Sequence, residues 1–308
     1  ELLGSVAPSD PLPPALDYVV DQLNSAEQID AVKVAALIGI ARHADLNRHR
    51  SVSRRLLDQN IRAHKTPLME LAKATTPPDG RSVEGHQWMR RLAVEALSNF
   101  AAAPPIGRET TEEIATVLDG IVANPKEPLA LRCAAARGRG KVLNLFTQGT
   151  SAEPQARQIA RLAVDAIVAE LAHLKPCMDE LQAKAKAPID GRGGFGIREG
   201  GAGLGILGGA AAASAEADDE PANVAPFVYA TQRRLKHHLM CVKAALEGTQ
   251  GGPGVMVGIK DATVKAQLDQ VQQAIEATED LIMSPPPGEP PLLEDVEAFF
   301  RSLADQGK

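Results

Sequence analysis

The sequence predicts an all-α protein in which a stack of helix pairs is followed by an antiparallel helical bundle. Three observations carry that expectation. Aromatic residues are only 3% of a chain that is 44% hydrophobic. Ala, Leu and Val must therefore fill the core, and small side chains suit closely packed helices. Alternating Val, Ile, Thr and Tyr, the mark of half-buried strands, are missing. Apolar residues instead recur at spacings of three and four in segment after segment.

The chain opens on the Pro-rich APSDPLPP, which reads as an extended lead-in. A short helix is expected over Asp17 to Leu23. A longer one runs from Ala26 to Ala44, with Ile29, Val32, Ala36, Leu37 and Ile40 on one face. The next pair is Ser51 to Ala74 and Ser82 to Ala101, parted by the turn signal TTPPDG. Pro67 is expected to split the first of these, because proline opens a helix better than it continues one. The third pair is Thr110 to Ala123 and Glu127 to Phe146, with Thr110 and Glu113 spaced as a capping box. Trp88 and Met89, near the start of their helix, read as packing anchors.

The second half carries heptad-like seams. Val164, Ile167, Leu171, Leu174, Met178 and Leu181 lie along Glu153 to Lys186. Leu235, Leu239, Val242 and Leu246 do so between Val224 and Glu247, and Val264, Leu268, Val271 and Ile275 between Asp261 and Met283. Such seams bury one face against a partner helix. Pro176 is expected to kink the first or end it early. The spacer SPPPGEPP then leads to a final short helix, residues 292–303, expected to dock back through Leu293, Val296, Phe299 and Phe300.

The second helices of the three pairs share a pattern. Lys33-Val-Ala-Ala36-Leu-Ile-Gly39, Arg90-Arg-Leu-Ala93-Val-Glu-Ala96 and Arg132-Cys-Ala-Ala135-Ala-Arg-Gly138 each set a basic residue before two small ones at steps of three. The first and second copies are 57 residues apart, the second and third 42. This resembles the HEAT-repeat family, whose second helix carries an Arg, a small residue three on and then an Ala-Leu pair. Arg90, Ala93, Ala96 and Leu97 match best; the first copy has Lys for Arg, and the third holds Gly138 and Gly140 inside its helix. The resemblance covers about residues 12–146 and implies stacked helix pairs with an extended binding face. The expected division is a HEAT-like stack over residues 1–150 and a helical bundle over 151–308, with a Gly-rich loop at 188–222.

That loop contains G-x-G-x-x-G twice, at Gly191, Gly193, Gly196 and at Gly203, Gly205, Gly208. A dinucleotide fingerprint needs a strand before it and a helix opening inside it. No strand precedes either match, and ten glycines fall between 191 and 209, so chance matches are expected. The segment reads as a connection that proteases nick first, and no cofactor is expected.

Two His/Cys pairs, His173 with Cys177 and His237 with Cys241, have the i,i+4 spacing that sets both side chains on one helix face. On facing helices they would supply a tetrahedral zinc site, but both flank their seams, so no metal is assigned. A Cys177–Cys241 disulfide is the alternative in an oxidising compartment, and unpaired thiols the plainer expectation. Glu1 in place of Met suits a removed signal peptide as well as a fragment boundary. The compartment stays open, with export or a periplasmic location the direction that reading leans.

A basic cluster runs from Arg42 to Lys65: Arg42, Arg48, Arg50, Arg54, Arg55, Arg62 and Lys65, opposed by only Asp45 and Asp58. Arg90, Arg91, Arg132, Arg137, Arg139 and Lys141 extend it if the second helices line one face. Whole-chain affinity for nucleic acid is not indicated. The first 150 residues hold 18 Lys/Arg against 17 Asp/Glu, the remainder 15 against 22, for a net charge of −6. The cluster also lacks aromatics that would stack on bases. G-x-S-x-G, H-E-x-x-H and Cys-His signatures are absent, so no enzyme is expected. The expected role is a non-enzymatic scaffold for a protein partner, bound through Arg48, Arg50, Arg54, Arg55, Arg90 and Arg91. A nucleic-acid or polyanion binder using the basic 42–65 face is one alternative. A metal protein or small enzyme built on the His/Cys pairs is another.

Overall fold

The computed structural model describes residues 14–50, 56, 58–102, 106–142, 152–186, 225–249 and 252–283. Most of these residues are helical, and no strand is among them. The helices are α1 (Pro14–Asn24), α2 (Asp30–His49), α3 (Asp58–Lys73), α4 (Val83–Ala101), α5 (Arg108–Ala123), α6 (Leu129–Lys141), α7 (Glu153–Lys186), α8 (Ala225–Glu247) and α9 (Ala262–Met283). The two G-x-G-x-x-G matches, the final expected helix over residues 292–303, and Arg54 and Arg55 lie outside the described residues.

The helices pair as α1 with α2, α3 with α4, α5 with α6 and α7 with α8. Second members pack in succession, α2 on α4, α4 on α6 and α6 on α8. First members also touch in succession, α1 to α3, α3 to α5 and α5 to α7. The result is two rows of helices, with α9 against α7 and α8. One cluster of buried apolar residues runs from Leu16 to Ile275. The expected division at residue 150 is therefore not a division between cores. The α7–α9 seams do bury Ile167, Leu239, Val242, Leu246, Val264, Leu268 and Ile275. However, α8 has a second buried face, where Cys241 and Ala245 meet α6. A bundle helix with one apolar seam was the expectation; α8 is packed on two sides.

Local sequence explains the start of α4. The Ser82 side chain accepts from the Gly85 amide at 3.0 Å and caps α4. The expected capping box at Thr110 does not form, because α5 begins two residues earlier after Gly107. There Asp58, from the start of α3, accepts from the Gly107 amide at 2.8 Å. Pro67 does not split α3. Ile61, His64, Lys65, Leu68 and Ala72 are buried to either side of it, and such tertiary packing outweighs local propensity. The helix likewise continues past Pro176 to Lys186.

Gly138 and Gly140, anomalous in the repeat pattern, are explained by closeness. A Cβ at Gly140 would lie 2.7 Å from the Cα of Ala245 in α8, and one at Gly138 would overlap the Ser98 hydroxyl in α4. The Gly254 amide, in the turn after α8, donates to the Gly140 carbonyl at 3.0 Å. Helix α6 is thus wedged between the backbone of α8 and the Ser98 side chain of α4.

Candidate binding face

The repeated basic position has one fate in the second and third copies, Arg90 and Arg132, where it is buried. Arg90 is 2% exposed. Its Nε and Nη2 donate to the Ala72 carbonyl at 3.1 and 2.9 Å, and Nη1 and Nη2 donate to Glu127 at 2.7 and 2.8 Å. Ala72 is the penultimate residue of α3, where a helix leaves carbonyls without partners. Arg132 repeats the arrangement one pair on. It donates to the carbonyl of Val122, penultimate in α5, at 3.1 Å and pairs with Asp165 of α7 at 2.9 Å. Each arginine ties the end of its own pair's first helix to a carboxylate further along the stack. Arg90 is therefore removed from the expected partner surface: it is a buried brace. Arg139 is buried too, on Asp119 at 2.8 Å.

The basic cluster over 42–65 is also divided. Arg62 pairs with Asp58 and Glu109, and Lys65 with Glu113, which places both at the α3–α5 seam. Arg50 closes α2, where its amide donates to the Asn47 carbonyl at 3.3 Å. Arg48 pairs with Asp45 at 3.1 Å and reaches the row of second helices. There it meets two residues from the conditional extension of the cluster, Arg137 and Lys141.

These groups line an open cleft of about 520 Å³ across α2, α4 and α6. Its cations are Arg42, Arg48, Arg137 and Lys141, and its carboxylates Asp45 and Glu95. Lys141 donates to Asn99 Oδ1 at 2.7 Å, and Asn99 in turn donates to the Ala41 carbonyl at 3.1 Å. Burial, then the nearby Arg137 charge, holds the Lys141 ammonium below the usual lysine range. Arg42 and Arg137 make no hydrogen bond or ion pair among the described residues. Ile38 and Leu92 form the apolar part of the wall.

Exposed apolar side chains continue the same stripes. Trp88 lies one helical turn before Leu92 on α4 and is 51% exposed. It is not the packing anchor expected; Met89 beside it is, at 2%. Arg91 is exposed, and with Arg137 it lies close enough to His237 of α8 to hold that imidazole low, after burial as the main cause. Met240, 52% exposed, follows His237 by three positions. The stripe Ile38, Arg42 and Asp45 was available in the sequence as the complement of the buried Leu37, Ile40, Ala41 and Ala44. Lys141 entered only on the condition that the second helices line one face, and Asn99 gave no such signal, since only the stacking brings them together.

Of the two His/Cys pairs, the second alone has both side chains among those described. His237 Nε2 is 3.8 Å from Cys241 Sγ, His173 is exposed, and the Cys177 side chain is outside those described. Among the described residues no three His, Cys, Asp or Glu side chains are grouped to hold a metal. Cys133 and Cys241 are free, buried thiols. No described helix is long and apolar enough to cross a membrane. The chain matches no family model, no curated protein and no solved structure.

Proposed function

We propose that this chain is a HEAT-like helical-repeat scaffold without catalytic activity, and that it holds a protein partner against its row of second helices. The observation that carries the reading is the composition of that row. Trp88, Ile38 and Met240 stand exposed beside Arg42, Arg91 and Arg137, so one surface offers apolar anchors and cationic rims together. Exposed aromatic and arginine side chains on a surface of this kind are the residues that anchor protein interfaces. A stack of helix pairs supplies the rigid, extended support.

A photo-crosslinking amino acid placed at Trp88 tests this, with the same group at Arg161 on α7 as the control. The expected result is a discrete set of protein crosslinks from position 88 that position 161 does not give. Equal, diffuse crosslinking from both positions would remove the partner surface from this row.

A further inference from the structure

The cleft between α2, α4 and α6 is built for negative charge. Its four cationic side chains face two carboxylates, and one carboxylate, Asp45, is already engaged by Arg48. Lys141 is half-buried, and its hydrogen-bond partner, Asn99 Oδ1, is neutral. Arg42 and Arg137 reach the same opening from two different helices. A cation that is partly removed from water and faces like charges is stabilised by an arriving anion.

The anion is not a nucleic-acid backbone. Phosphates come at regular spacing and repel any carboxylate they pass. Asp45 of α2 and Glu95 of α4 lie among the cations of α2 and α6. Along α2, α4 and α6 the exposed aromatic is Trp88 alone among the described residues, too few for a track of stacked bases. Apolar walls at Ile38 and Leu92, continued by Trp88, fit side chains that nucleic acids do not carry.

We infer that the cleft takes an acidic protein segment in which Asp or Glu alternates with large apolar side chains. Its carboxylates meet Arg42, Arg137 and Lys141, and its apolar residues cover Ile38, Leu92 and Trp88. This rests on the scaffold reading and adds to it the chemistry of the partner.

The test uses the full chain and three labelled peptides of equal length: Glu alternating with Leu, Gln alternating with Leu, and all Glu. Fluorescence anisotropy is read with the native chain and with Arg42→Glu, Arg137→Glu and the control Arg161→Glu. The Glu/Leu peptide is expected to bind tightest of the three, and either cleft reversal to weaken it about tenfold, with the control unchanged. Arg42 and Arg137 are exposed, so the reversals leave the fold intact, and superimposable thermal melts verify that. Equal binding of Glu/Leu and Gln/Leu peptides would overturn the inference, as would binding indifferent to both reversals. Displacement of the peptide by single-stranded homopolymer RNA at lower concentration than unlabelled peptide would turn the site into a polyanion site. A Trp88 crosslink to a basic or uncharged partner segment would also overturn the acidic assignment, yet leave the scaffold reading standing.

Discussion

Arg90 of α4 and Glu127, in the turn before α6, face each other through two parallel hydrogen bonds of 2.7 and 2.8 Å. The side chains are 2% and 7% exposed, so this fork joins the second helix pair to the third away from water. A buried ion pair contributes little against a well-packed apolar pair, but removal of one partner leaves a lone buried charge.

Arg90→Met should therefore destabilise the fold by about 3–5 kcal/mol, because Glu127 loses its fork and the Ala72 carbonyl its donor. Arg90→Lys should recover only part of this, since an ammonium cannot bond both carboxylate oxygens in one plane. Urea unfolding curves check both. The double variant Arg90→Met with Glu127→Leu should be more stable than Arg90→Met alone. If it is not, burial of the lone carboxylate is not the source of the loss.

Glycine replacements separate propensity from packing. Gly120→Ala, on the exposed side of α5 with nothing within 4 Å of a new Cβ, should stabilise by about 0.5–1 kcal/mol. Gly140→Ala gains the same helix propensity but sets a methyl 2.7 Å from the backbone of Ala245. It should instead cost about 1–3 kcal/mol, the usual range for overpacking. Thermal melts of the two variants should move in opposite directions; a rise in both would mean that α6 and α8 are not in backbone contact.

These two sites show what the sequence carried and what it did not. Helices were readable because an apolar stripe at 3.6-residue period is a property of one segment, as in Val264, Leu268, Val271 and Ile275 of α9. Which neighbour a helix meets is not a property of that segment. Arg90 and Arg91 are adjacent and chemically identical, yet the ~100° turn between them sends one to Glu127, 37 residues away, and the other to solvent. The repeat pattern that marked Arg90 was a mark of structure, and it was the neighbouring Arg91 that reached the open face. Small residues hid the second buried side of α8 in the same way, since Cys241 and Ala245 add little to a hydrophobic stripe.

His43 of α2 makes stability depend on pH. Burial, then the charges of Arg50 and His64, lowers its pKa from 6.5 to about 4, and its Nε2 is buried without a hydrogen bond. The unfolded chain then takes up a proton below about pH 6.5 that the native imidazole refuses until about pH 4. Stability should fall as pH drops through that window, by up to about 3 kcal/mol from this group. His237 and His238, also held low by burial, act in the same direction. His43→Leu removes one titration and the unsatisfied nitrogen, so its advantage over the native chain should grow steadily from neutral to acid pH. A difference that stays constant with pH would show that His43 is not the responsive group.

Cys133 of α6 and Cys241 of α8 are buried at the contact between their helices, with 0% and 4% exposure. Burial raises both thiol pKa values, and for Cys133 the neighbouring Cys241 adds to the rise. The thiolate is the reactive form, so iodoacetamide at about pH 8 should leave both residues unmodified in the native chain and modify both in denaturant. Peptide mapping reads the two sites separately. Cys241 is the more informative, because it is the one bracketed by His237 at 3.8 Å and approached by Arg91 and Arg137. Native modification of Cys241 with Cys133 still protected would show that the α6–α8 seam opens from the side of the basic face. Protection that vanishes only on addition of reductant would show instead a bond from Cys241 to Cys177.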